Sequence, residues 1–203
     1  SVWYTTLASG LSAFMASVTG YCLSKYNFKA KGVIYGTAIF CMTVPIVGTM
    51  AAYYKLISQL GIMDTPLYVV VTHMSSWGSY FLIMYGFFKN ISWSYAEAVL
   101  IDGGSHFTVF FRIMLPQARG PLFTLFLMAA IGNWNDYMTV ILYLPSYPTL
   151  SSGLYTYRAV MERSVEYPMY FAGLIISIIP IVTLFALFSN VIMTNMSVGG
   201  LKG

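Results

Sequence analysis

Charge is what this sequence has least of. Only 8% of its 203 residues are Asp, Glu, Lys or Arg, against roughly 25% in a soluble domain. Such a chain cannot coat a water-facing surface, and 58% of it is hydrophobic, so it reads as a polytopic membrane protein. Catalytic signatures are missing too. There is no phosphate-binding G-x-x-x-x-G-K-[ST], no G-x-G-x-x-G and no H-E-x-x-H, so no ATP hydrolysis, cofactor or metal is expected of the chain itself. The absence of clustered histidines or paired carboxylates argues against a membrane-embedded enzyme. Two cysteines, Cys22 and Cys41, form no C-x-x-C and read as small apolar residues on helices. The ten basic residues are scattered, which argues against nucleic acid as a partner. The sequence begins at Ser1 without Met and shows no signal peptide; a preceding N-terminal segment is expected.

Long apolar runs are plentiful. A membrane helix needs about 20 mostly apolar residues, and five segments qualify: residues 2–23, 32–54, 67–88, 122–144 and 170–192. Pro45 and Pro180 sit mid-segment and are expected to kink their helices. In the first segment Ala8, Ser12, Ala16 and Gly20 recur every four residues, a stripe that lets another helix approach closely. The connections can be oriented by their basic residues. Lys25, Lys29, Lys31, Lys89, Arg112, Arg119 and Lys202 fall on one side, whereas Lys55, Arg158 and Arg163 fall on the other. The 24–31 and 89–121 loops and the C-terminus are therefore expected in the cytoplasm, and the 55–66 and 145–169 connections outside.

One stretch fits neither lipid nor an ordinary loop: EAVLIDGGSHFTVFFRIMLP, residues 97–116. Burying Glu97, Asp102, Arg112 and Arg119 at the bilayer centre would cost on the order of 10 kcal/mol. Yet Ala96, Val99 and Leu100, then Phe107, Phe110, Phe111, Met114 and Leu115, recur at helical spacing. Between them Asp102-Gly103-Gly104-Ser105 supplies a helix stop and a new cap, and Pro116 is expected to close the second helix. The pattern predicts a helical hairpin along the cytoplasmic face. Periodicity leaves two roles open for it: resting on lipid headgroups, or docking a cytoplasmic partner.

Those residues carry a resemblance. Glu97-Ala98-Val99, Gly103, Ile113 and Leu115-Pro116 match the E-A-A, three residues, G, nine residues, I, one residue, L-P signature of the cytoplasmic "EAA" loop in ABC importer permeases. Val99 for the second alanine is the one departure. Asn133-Trp134-Asn135-Asp136, Thr149-Leu150 and the terminal Gly199-Gly200-Leu201-Lys202-Gly203 also resemble sugar permeases of the maltose type. The resemblance implies an all-α transmembrane helix bundle, residues 1–203 as a single transmembrane domain, with five spans here and a sixth N-terminal span missing. It implies a bacterial or archaeal cell membrane, a partner ABC ATPase dimer, a second permease subunit and an extracytoplasmic solute-binding protein delivering a sugar. ATPase coupling would fall to Glu97, Ala98, Val99, Asp102, Gly103, Ile113, Leu115 and Pro116.

Other residues keep two readings. Asn133, Asn135 and Asp136 lie inside the fourth span, where polar groups either line a translocation path or hydrogen-bond between helices. His73 reads as a packing residue, and His106 as exposed on the hairpin. In the long outer connection, Tyr155, Tyr157 and Arg158 are candidates for binding-protein contact; the alternative is an amphipathic stretch on the membrane surface. An ion-coupled transporter or channel is the competing function, for which the spans offer only Asp136 and His73.

Overall fold

The computed structural model describes the chain except residues 45–47, 75–77, 165–166 and 200–203; for residues 160–164 and 191–199 it describes the backbone alone. Among the described residues the regular structure is helical throughout. The helices are α1 (Val2–Lys25), α2 (Lys31–Thr43), α3 (Met50–Gln59), α4 (Pro66–His73), α5 (Ser79–Asn90), α6 (Ser94–Ile101), α7 (His106–Gln117), α8 (Arg119–Asn135), α9 (Met138–Tyr143), α10 (Leu150–Ser164) and α11 (Tyr167–Gly199).

The all-α architecture is as expected, and the five apolar segments correspond to helices of unequal length. Among the described residues two helices, Val2–Lys25 and Tyr167–Asn190, are each long and apolar enough to cross a membrane, and α7 and α8, bent by 74°, make a third if taken together. The segment 32–54 divides into α2 and α3, 67–88 into α4 and α5, and 122–144 into α8 and α9. At 1.5 Å per residue these helices, of 6–17 residues, are about 9–26 Å long, short of the ~30 Å hydrocarbon layer. Broken helices at membrane depth are tolerated where they are buried in protein or line a cavity, and the α8–α9 break does the latter. Pro45 lies outside the described residues. Pro180 lies within α11, which runs on as one helix.

α11 makes the strongest physical case for lipid. Phe171, Ile175, Ile176, Ile178, Ile179, Val182, Phe185 and Leu187 are all more than half exposed. In water that surface would drive aggregation; in hydrocarbon it is solvated.

The chain packs as two compact units. The first comprises Ser1–Leu11, Ile46–Met74 and Leu127–Asn190. Its core joins Tyr4 and Ala8 of α1 to Ile57, Tyr68 and Val69 and to Val140, Tyr143 and Leu144. Asp64, at φ +56°, ties the α3–α4 turn to the α9–α10 connection. Its backbone N–H donates to the Tyr143 carbonyl at 2.8 Å, and its carboxylate accepts from the Ser146 amide and hydroxyl at 2.8 and 2.6 Å.

The second unit comprises Ser12–Pro45, Ser75–Phe126 and Val191–Gly203. Here the small-residue stripe acts as predicted. Gly20 is buried, and a Cβ built on it would lie 2.8–2.9 Å from the backbone of Met84 and Tyr85. α5 thus packs directly on bare α1 backbone. Around that crossing the core gathers Ala13, Ala16, Tyr21, Met84, Phe88, Ala96, Val109, Phe110 and Met114, which sets the 97–116 hairpin on the end of α1.

Candidate functional site

The hairpin forms as the sequence predicts, and its corner is built from local hydrogen bonds. The Gly103 amide donates to the Leu100 carbonyl at 3.1 Å, and the Gly104 amide to that of Val99 at 2.8 Å. That pairing ends α6 in a Schellman motif, with Gly103 at φ +79°, a conformation that excludes β-branched residues and favours glycine. Ser105 then caps α7, accepting from the Thr108 amide at 3.2 Å. Four residues suffice to turn the chain because each makes a specific backbone contact.

Gly104 was not singled out from the sequence, and it bears on the Val99 departure. A Cβ at Gly104 would stand 2.5 Å from Val99 Cγ1 and 2.8 Å from the Val99 carbonyl oxygen. The valine methyl occupies space that only a glycine at position 104 leaves open. Gly104→Ala should therefore loosen the corner by about 1–3 kcal/mol and lower uptake at unchanged abundance. Adding Val99→Ala should restore part of it, because the methyl clash goes and the carbonyl clash stays. Uptake per transporter in vesicles, measured for both variants, checks this.

α7 departs from the predicted pattern. Residues Val109–Met114 form a π-helical turn just before Pro116, whose ring in a regular α-helix would crowd the Arg112 carbonyl. The wider turn rotates the face. Val109, Phe110 and Met114 are buried, whereas Phe107 is 77% exposed and Phe111 49%. The helix ends at Gln117, one residue beyond the expected stop at Pro116. The buried Ala118 then shares its amide between the Met114 and Leu115 carbonyls, both at 3.1 Å. Ile113 and Leu115 are half-buried and Pro116 is exposed. The anchoring in the core thus falls to Phe110, Met114 and Ala118, with Leu115 packed against them.

An aromatic clamp fixes the hairpin to the end of α1. Tyr21 packs on Phe110 at 4.9 Å and Phe88 at 5.6 Å, and Tyr26 on Trp93 at 5.8 Å. The Tyr26 hydroxyl is hydrogen-bonded to His106 Nδ1 at 2.9 Å, so His106 is exposed as predicted and also tied down. The Lys25 ammonium donates to the Ile91 carbonyl. No sequence signal marks these pairs, whose members lie far apart along the chain. The outward side of α6 is free of such contacts: Tyr95, Glu97, Ala98, Ile101 and Asp102 are all exposed, and Ile101 is 84% so. A rigid, doubly anchored knob presents apolar side chains beside two carboxylates.

The other predicted residues sit in the first unit and separate. Asn133 donates to the Ser9 hydroxyl at 3.0 Å, and Asn135 to its own helix at Ile131; both hold helices. Asp136 stands at the α8–α9 break, accepting from the Tyr4 hydroxyl and the Thr139 amide, each at 3.1 Å. It alone of the three borders a cavity of about 420 Å³, with Tyr4, Tyr53, Tyr68, Thr72, His73 and Tyr143 in the wall. His73 keeps its predicted packing role through Nδ1, 3.0 Å from the Val69 carbonyl, but also reaches that cavity. The outer connection is largely helical as α10. Tyr155, stacked on Tyr137 at 4.5 Å, and Arg158 are exposed. Tyr157 instead lines a second cavity of about 540 Å³ with Leu144 and Pro148.

Residues 8–198 match the family of binding-protein-dependent transport system inner membrane components. The chain belongs to this family. It is a membrane-embedded permease subunit of an ABC transport system. Relatives include the probable ABC transporter permease protein YurM of Bacillus subtilis, 28% identical over all of this chain and 68% of that protein. The arabinooligosaccharide permease protein AraQ of Halalkalibacterium halodurans is 27% identical over all of this chain and 72% of its own length. The maltodextrin permease protein MdxG of Bacillus subtilis is 27% identical over 99% of this chain and 75% of its own. Among solved structures, a chain of a bacterial ABC transporter that imports the acidic polysaccharide alginate shares the permease fold. Its TM-score is 0.64 at 20% identity, covering 93% of this chain and 74% of that one.

Proposed function

We propose that this permease moves a sugar or oligosaccharide by alternating access, delivered by an extracytoplasmic binding protein and powered by a separate ATPase pair through the 97–116 hairpin. The observation that carries the reading is the exposed α6 face on an anchored corner. Glu97 offers a directional contact to a basic partner group, Ala98 keeps the helix thin, and Ile101 supplies an apolar anchor. Because Tyr21, Phe110 and Met114 lock the hairpin to α1 and α5, movement imposed on it passes into membrane helices rather than being absorbed by a loose loop. The sugar assignment rests on the substrates named for AraQ and MdxG. The whole chain acts as one transmembrane domain beside a second permease subunit. The 89–121 loop and the C-terminus face the cytoplasm, while Tyr155 and Arg158 face the binding protein.

A cross-link tests the coupling. With Cys22 and Cys41 replaced by Ser, Ala98→Cys should link to the ATPase subunit in membranes, with a yield that changes when ATP is added. An introduced thiol at position 98 that reacts only with lipid-phase reagents would return the hairpin to the headgroup-resting reading.

A further inference from the structure

The cavity of the first unit has a specific chemistry. It brings a carboxylate, a histidine and several tyrosines together in a chain with few charges. Its volume, about 420 Å³, falls within the ~300–1,000 Å³ of small-molecule sites. Among the described residues no Lys or Arg lines it. An ionised carboxylate offers about four acceptor positions. Tyr4 and Thr139 occupy two of those on Asp136, which leaves acceptor capacity facing the cavity. His73 Nδ1 lies 3.0 Å from the Val69 carbonyl and 3.1 Å from the Thr72 hydroxyl; in the tautomer that donates from Nδ1 to that carbonyl, Nε2 is an acceptor. The exposed Tyr53, packed edge-on against the buried Tyr143 at 5.4 Å, gives the wall an aromatic side. Acceptors for hydroxyl donors beside aromatic rings suit the hydroxyl edge and C–H face of a sugar ring.

We propose that this cavity is a subsite for an uncharged sugar ring, and that Asp136 determines specificity by rejecting anionic sugars. Like charges at contact distance in a partly desolvated site repel, whereas neutral hydroxyls donate to the same carboxylate. The proposal rests on the importer reading and deepens it. The described residues of the cavity offer no cation to receive an anionic sugar.

The test uses the assembled transporter in proteoliposomes, with Met138→Cys as a reporter in the wall and Cys22 and Cys41 replaced by Ser. Neutral malto-, arabino- and chito-oligosaccharides are compared with trigalacturonate for protection of the introduced thiol from a maleimide. At least one neutral sugar should slow labelling about fivefold or more, and trigalacturonate should not. Asp136→Asn should weaken the neutral sugar about tenfold and let trigalacturonate protect. Protection by no neutral sugar, equal protection by trigalacturonate in the unmodified site, or a preference unchanged in Asp136→Asn would each overturn the proposal. ATPase stimulation in the same vesicles is read separately: stimulation that Glu97→Lys abolishes keeps the importer reading even if the subsite fails, and its absence counts against the importer reading alone.

Discussion

Transporters carrying Glu97→Lys should reach the membrane at normal abundance and lose nearly all uptake. Glu97 is exposed in the first turn of α6, and no ion pair holds it among the described residues. Within the chain its removal forfeits only the favourable interaction of an acid with a helix N-terminus, about 0.3–1 kcal/mol. The penalty appears on docking. Breaking a buried, hydrogen-bonded charge pair costs about 2–5 kcal/mol, and reversing the charge adds repulsion. Uptake and ATPase stimulation should therefore fall together by roughly 30-fold or more, whereas Glu97→Gln should be milder. Gly103→Val should resemble the reversal by a different route, since a β-branched residue resists φ +79° and the Schellman bonds would open. Labelled-sugar uptake and ATPase rate, normalised to transporter in the membrane, check both. Normal uptake with normal stimulation in Glu97→Lys would show that the knob meets no basic cleft.

The second large effect concerns a single methyl. Gly20→Ala places a Cβ within 2.9 Å of the Met84 and Tyr85 backbone, where no side chain can rotate away. α1 and α5 must separate, and the contacts of Ala16, Met84 and Phe88 loosen with them. The expected cost is about 2 kcal/mol, against a helix-propensity gain of about 1 kcal/mol for Ala over Gly. Gly10→Ala is the matched control in the same helix: nothing lies within 4 Å of its built Cβ, so only the propensity gain remains. Melting of the purified protein in detergent should place Gly20→Ala below the parent and Gly10→Ala at or slightly above it. Equal melting of the two variants would mean that the helices do not touch at Gly20.

Both effects bear on what a reader of the sequence could know. The hairpin corner was legible because its determinants are local. The short run from Ala98 to Gly104 contains the hydrogen bonds that end α6, so composition and spacing suffice. The stripe at Ala8, Ser12, Ala16 and Gly20 was legible for the same reason, although its partner α5 was not. The apolar stripe of α7 was legible, but not that Phe110 and Met114 would turn into the core while Phe107 and Phe111 stay exposed. Periodicity assumes 3.6 residues per turn, and the π turn before Pro116 breaks that assumption. Asn133, Asn135 and Asp136 looked alike in one run, yet only Asp136 borders the cavity, because the helix breaks immediately after Asn135.

The sequence by itself determined the solvent and the corner. Few charges and long apolar runs require lipid, and glycines between two amphipathic stretches require a turn, since both follow from the chain's own composition and local geometry. Tertiary structure alone decided what the corner is fastened to and what the polar groups face. The Tyr26–His106, Tyr4–Asp136 and Asp64–Ser146 pairs join residues 80, 132 and 82 positions apart. Separations of that size leave no periodic trace; such side chains meet only when packed helices bring them within hydrogen-bonding distance.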